Sequence, residues 1–137
     1  DSGFVVILDR YLYSNIAFQC AKIDDKSRAK ELRDWIFNAE YIHFSIPKPD
    51  INLFLDVPLS FVDSKLRGGR SGDDREYLKG GRDIHEESIH FQERVRAVYL
   101  EECNKEEGLQ RVDCSSSDGL MLSPDMIFSR IKEKLLL

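Results

Sequence analysis

At 137 residues the chain is one domain or part of one, and its formal net charge of −5 with a pI near 5.2 argues against a main task of binding the DNA or RNA backbone, which needs a basic surface. No apolar stretch reaches the ~18 residues that a bilayer span requires, and no charged-then-apolar leader precedes Phe4, so a cytoplasmic location is expected. Cys20, Cys103 and Cys114 are odd in number and form no Cys-x-x-Cys pair, which points to reduced thiols and away from a disulfide framework or a zinc knuckle.

The apolar run Phe4-Val5-Val6-Ile7-Leu8 predicts a strand buried on both faces, as in parallel sheets, with Asp9 and Arg10 at its carboxyl end. Ligands of open α/β folds bind beyond the carboxyl ends of strands, so this pair is a candidate site. A structural ion pair closing the strand explains the two residues equally well. Residues 25 to 41 predict a helix, because Ala29, Leu32, Ile36 and Ala39 recur at helical spacing. Pro47 and Pro49 bar its continuation, and residues 50 to 57 read as a second buried strand that Pro58 stops.

Ser60 with Asp63 resembles a capping box for a short helix through Leu66. Residues 67 to 86 are polar, rich in glycine and without a period, which predicts a loop. A long helix is expected from about Ser88 to Lys105 with Phe91, Val95, Val98 or Tyr99, and Cys103 inward, and Gly108 stands where a terminator belongs. Residues 110 to 114 predict a short third strand. Ser123-Pro124 then opens a last helix with Ile127, Phe128, Ile131 and Leu135 on one face. Strands alternating with helices imply parallel pairing through crossovers, hence an α/β fold.

Four motifs in chain order carry a resemblance: Asp9-Arg10-Tyr11-x-x-Ser14-Asn15-x-Ala17-Phe18-Gln19, then Pro47-Lys48-Pro49-Asp50 leading to Leu53-Phe54-Leu55-Asp56-Val57-Pro58, then an Arg/Gly loop ending in Arg82-Asp83-Ile84-His85-Glu86, then Phe91-Gln92-x-x-Val95-Arg96-x-x-Tyr99. Over nearly its whole length the chain resembles the thymidylate kinase family. The resemblance implies a parallel-sheet P-loop nucleoside monophosphate kinase fold. The activity it implies is transfer of the γ-phosphoryl group of ATP to the 5′-phosphate of dTMP, giving dTDP for dTTP biosynthesis, with Mg2+. Such chemistry asks mainly for positioned guanidinium groups and a metal ion.

By the same resemblance Arg10 holds the dTMP phosphate, with the planar fork that suits it better than lysine. Asp9 lies near the magnesium, in direct or water-mediated contact, or else serves as an acceptor that orients Arg10. Asn15 would read the thymine edge, since an amide offers both a donor and an acceptor. Phe18 matches an aromatic position near the deoxyribose, although core packing explains a phenylalanine there as well. Ser14 and Gln19 are weaker dTMP candidates that could simply satisfy helix-end groups. Residues 67 to 86 match the family's lid and supply Arg67, Arg70, Arg75 and Arg82 as candidates for the transferring phosphoryl, with Lys79 beside them. His85 and Glu86 fall near the bound nucleotide. His85 stands where other members carry tyrosine, which would make its contact pH-sensitive.

The largest departure is the lack of a Gly-rich loop ending in Gly-Lys-Ser/Thr. The runs at residues 67–72 and 79–82 lack that ending and do not follow a strand, so they read as lid. The expectation is that 137 residues form the carboxyl-terminal portion of a single kinase domain, with on the order of 80 residues of strand-helix units before Asp1. In the family sheet the Walker A strand lies between the strand at residues 4–8 and that at residues 52–57, so its loss would leave buried edges unpaired. This chain alone would then be inactive. Partners expected are ATP and dTMP, no nucleic acid, no membrane, and a second copy in a homodimer to which the exposed-looking Trp35 and Phe37 contribute. Other readings are another nucleoside monophosphate or deoxynucleoside kinase, and a non-catalytic truncated paralogue acting as an interaction module.

Overall fold

Pro47 and Pro49 flank the boundary between two compact units, Asp1–Lys48 and Pro49–Leu137. The computed structural model describes residues 3–68, 83–105 and 108–135, except the side chains of residues 68 and 83–87.

In the first unit, the expected strand at residues 4–8 does not form. The segment is irregular and its five apolar side chains are 59% to 89% exposed. Apolar composition suits a buried strand but does not create one: a strand's backbone groups need a neighbour, and no described strand pairs with this segment. Helix α1 (Leu12–Cys20) follows and buries Leu12, Ile16, Ala17 and Cys20 along one face. Sequence reasoning gave no helix here, because Ser14, Asn15 and Gln19 interrupt the apolar pattern.

Asp25 caps α2 (Lys26–Asn38), its Oδ1 accepting from the Arg28 amide at 3.0 Å. Ile36 is buried, with Ala29 and Leu32 half-buried on the same stripe. The Cys20 thiol, donating to the Ala29 carbonyl at 3.4 Å, ties the end of α1 to α2. The helix then widens into a π-helical turn, Ala39–His43, where the Phe44 amide reaches back to the Ala39 carbonyl at 2.9 Å.

The second unit is built on two parallel strands, β1 (Asn52–Asp56) and β2 (Leu109–Asp113), in a register that pairs Asn52 with Leu109 and Asp56 with Asp113. Parallel pairing requires a long crossover, and the chain between the strands carries α3 (Leu59–Gly68) and α4 (Asp83–Cys103). Pro58 ends the strand and starts α3, its carbonyl accepting from the Phe61 and Val62 amides. The helix therefore begins one residue ahead of the expected cap at Ser60. The expected loop at 67–86 is helical at both ends, with Arg67 on α3 and residues 83–86 on α4, and residues 69–82 lie outside the described residues.

Register partners in a parallel pair share a face, so Phe54, Asp56, Arg111 and Asp113 project together. Helix α4 covers that face: Tyr99 stacks on Phe54 with centroids 4.3 Å apart and planes 5° from parallel, and Val95 is buried. Beyond β2, Cys114 continues the pairing, donating to the Asp56 carbonyl at 3.0 Å. Ser123 caps α5 (Pro124–Leu135), accepting from the Met126 amide. Ile127, Ile131 and Leu135 are half-buried, but Phe128 is exposed, one position off that stripe, contrary to the sequence expectation. No helix among the described residues is long and apolar enough to cross a membrane.

Candidate functional site

Arg10 begins the site with its own backbone. Its φ of 67° is in the left-handed region, uncommon for any residue with a side chain and costing on the order of 1–3 kcal/mol. From there its side chain runs along α1. Nε donates to the Ser14 hydroxyl at 2.8 Å, and the guanidinium carbon stands 4.7 Å from the centre of the Phe18 ring. Ser14 is buried and Phe18 half-buried, so the two supports are firmer than the exposed group they hold.

Ser14 and Phe18 stand four residues apart in one row of α1, and Arg10, which precedes the helix, reaches that row with its side chain. Asn15 and Gln19 form the next row and are exposed, with Lys22 Nζ donating to Gln19 Oε1 at 3.2 Å. No side chain caps the amino end of α1 and its first turn carries no acidic residue, so the positive end of the helix dipole adjoins Arg10. Asp9 is exposed. The polar contact of Arg10 goes to Ser14, so the acceptor that orients the arginine is the serine and not Asp9.

Behind this row lies an aromatic cluster. Tyr13 meets the Phe37 ring edge-on at 5.7 Å, and Phe37 tilts against Tyr41 at 5.9 Å. Burial together with Tyr11, Tyr13 and Glu40 pushes the Tyr41 phenol up to about 12. The Tyr11 hydroxyl is buried without a hydrogen-bond partner among the described residues, and burial, then Glu40, raises its pKa above the ordinary value.

In the second unit, the charged cluster that sequence reasoning missed is centred on Asp56. Its carboxylate is 1% exposed and accepts from Arg96 through both oxygens, Nε to Oδ1 at 2.6 Å and Nη2 to Oδ2 at 2.9 Å, and from Arg111 Nε at 2.7 Å. Register places Asp113 beside Asp56, and Arg111 bridges the two carboxylates, with Nη2 3.8 Å from Asp113. The Asp56 bond raises the pKa of Arg96. Hydrogen bonds from the Ser115 hydroxyl and amide hold the Asp113 carboxyl below its usual value. Asp56 and Arg96 stand inside the quoted motifs, and a buried aspartate at a strand end demands a cation. That demand was the signal available in the sequence.

An open hollow of about 850 Å3 lies at the other end of these strands, lined by Ile51, Leu109 and Cys103 among others. Arg111, which also holds Asp56, is part of its lining. Burial raises the pKa values of Cys103 and Cys114, which keeps both as thiols and makes them poor nucleophiles.

The structure thus brings Arg10, Ser14 and Phe18 together and leaves Asn15, Gln19 and Asp9 exposed beside them. Arg67 lies in the last turn of α3, its Nε 2.9 Å from Asp63 Oδ2. Arg70, Arg75 and Arg82 lie outside the described residues, as do the side chains of His85 and Glu86, whose backbone forms the first turn of α4. No three metal-binding side chains converge among the described residues. Magnesium in phosphoryl transfer needs fewer, being held by one or two carboxylates plus substrate phosphates and water. The carboxylate of the exposed Asp9, next to Arg10 in the chain, fits that donor set.

Comparison with known proteins is consistent with this chemistry. A family model described as thymidylate kinase matches residues 1–123. The chain is 33% identical over 97 residues to the thymidylate kinase of Mycobacterium tuberculosis strain H37Rv, covering 71% of this chain and 43% of that protein. Against probable thymidylate kinases of Pyrobaculum aerophilum and Archaeoglobus fulgidus, identity is 32% over 113 residues and 31% over 114, covering 82% and 83% of this chain and 47% of each of those proteins. The chain therefore spans less than half the length of these relatives. No solved structure matches.

Proposed function

The chain belongs to the thymidylate kinase family, and from that premise we propose that it holds dTMP for phosphoryl transfer from ATP, giving dTDP. In this reaction an oxygen of the dTMP 5′-phosphate bonds to the γ-phosphorus, the bond from that phosphorus to the β–γ bridging oxygen breaks, and ADP leaves. The observation that carries the reading is the Arg10 guanidinium, seated on Ser14 and Phe18 at the uncapped start of α1. Arg10 binds the acceptor phosphate, Asn15 reads the base edge, and Phe18, Gln19 and Ser14 surround the nucleoside. Arg67, Arg70, Arg75 and Arg82 serve the transferring phosphoryl, and His85 and Glu86 approach the nucleotide. Asp9 would hold magnesium directly or through water, and the ion would supply charge neutralisation on the phosphates.

The two units are read as parts of one kinase domain in a cytoplasmic homodimer. Residues 1–137 contain no Gly-rich loop ending in Gly-Lys-Ser/Thr, and the ATP cradle is assigned to sequence outside them. The chain by itself is therefore expected to bind dTMP without turning over. A steady-state assay with dTMP, ATP and magnesium tests this, and turnover comparable to a complete kinase would sink the proposed division of labour. Binding measured across dTMP, dUMP, UMP and thymidine tests the acceptor. A preference for UMP or thymidine would move the chain to another nucleotide or nucleoside kinase activity.

A further inference from the structure

A guanidinium offers two bidentate edges: a side edge made by Nε with one terminal nitrogen, and an end edge made by the two terminal nitrogens. In this structure Nε of Arg10 is committed to Ser14, which removes the side edge, and the guanidinium carbon stands 4.7 Å from the centre of the Phe18 ring, which closes that side of the group. What remains is the end edge, approached in plane. We infer that Ser14 and Phe18 are positioning residues that present Arg10 end-on to a phosphate monoester, and that neither acts chiefly on the sugar or base. The inference rests on the dTMP reading of this site and alters the part Phe18 plays in it, from a neighbour of the deoxyribose to the surface on which the arginine lies.

Three features make the arrangement a device for orientation. The left-handed backbone at Arg10 sets where the side chain departs. Ser14, buried in the first turns of α1, fixes the guanidinium through a hydrogen bond to a charged donor, about twice as strong as a neutral one. Phe18, a further turn along, fixes the plane by cation–π attraction. Orientation secured before binding removes part of the ordering cost that a free arginine side chain would bear on meeting the ligand.

The experiment compares dTMP with thymidine, which differ in the phosphate alone, by titration of the full chain and of the variants Ser14→Ala, Phe18→Leu and Phe18→Tyr. Loss of either support is expected to weaken dTMP binding about fivefold to tenfold, in keeping with the loss of one charged hydrogen bond or one cation–π contact. Thymidine binding should be unchanged, and Phe18→Tyr, which keeps the ring, should retain dTMP affinity. Equal losses for dTMP and thymidine would show a purely structural role and overturn the inference, as would undiminished dTMP binding in Ser14→Ala.

A ligand-free measurement separates this from the kinase reading. The Arg10 Nε–H signal of the 15N-labelled chain should exchange with water severalfold faster in Ser14→Ala, and an unchanged rate overturns the positioning claim whatever the ligand. Failure of the unmodified chain to bind either dTMP or thymidine overturns the dTMP reading, and the Arg10 signal still decides the geometry.

Discussion

Arg10 and Tyr11 are neighbours with opposite economies of contact. Arg10 is exposed, yet its backbone, its Nε and its guanidinium face are each constrained. Tyr11 has a buried hydroxyl with no hydrogen-bond partner among the described residues. Such a group carries an unreturned desolvation cost of about 1–3 kcal/mol, so Tyr11→Phe should stabilise the chain by about 1 kcal/mol, read as a higher midpoint in urea at constant slope. The sequence named Arg10, Ser14 and Phe18 as candidates. It did not reveal that they touch, because the spacing of Ser14 and Phe18 becomes evidence only once residues 12 to 20 are known to be a helix, and the apolar period of Leu12, Ile16 and Cys20 has no capping side chain before it to mark a start. The alternative that Asp9 orients Arg10 gives way to the Ser14 contact, since two adjacent residues at a left-handed backbone position need not face each other.

The elements of the second unit show where sequence pattern suffices. Both strands were legible to within about two residues because each is short, carries its apolar residues inside polar flanks, and is bounded by proline, glycine or polar turns. Residues 4–8 satisfied the same pattern and remain unpaired, so the pattern reports what a segment could bury and not whether a partner exists. The Asp56 cluster is the main energetic join between β1, β2 and α4. Removing its carboxylate strands two guanidinium groups, and Asp56→Ala should cost about 3–5 kcal/mol, measurable by denaturant unfolding.

Asp113 supplies a pH signature at the end of β2. Its folded-state pKa lies below the ordinary 3.8, so its contribution to stability is complete above that value and is lost as pH falls through the lower, folded one. Ser115→Ala removes the leading cause of the shift. Acid titration of thermal stability should then show a smaller loss below 3.8 in the variant than in the parent chain.

Across the whole molecule, the division at Lys48 and Pro49 was only half visible in sequence. The two prolines read as helix breakers. Nothing in composition separated the units, since both mix apolar stripes with charged faces and the family match runs through the boundary, over residues 1–123. Of the two aromatic residues expected to be exposed, Trp35 is 66% exposed, whereas Phe37 is half-buried among Tyr13, Tyr41 and Arg33, because its aromatic neighbours lie within the same unit. Trp35 is also the chain's single tryptophan, and it belongs to the first unit. It is thus a built-in optical reporter. Its fluorescence on heating reports on the unit that holds Arg10, while far-ultraviolet dichroism sums the helices of both. Melting curves from the two probes are expected to part, and in Asp56→Ala to part further, the dichroism falling early while the tryptophan signal keeps its midpoint. Coincident curves in both proteins would instead mark a single cooperative transition.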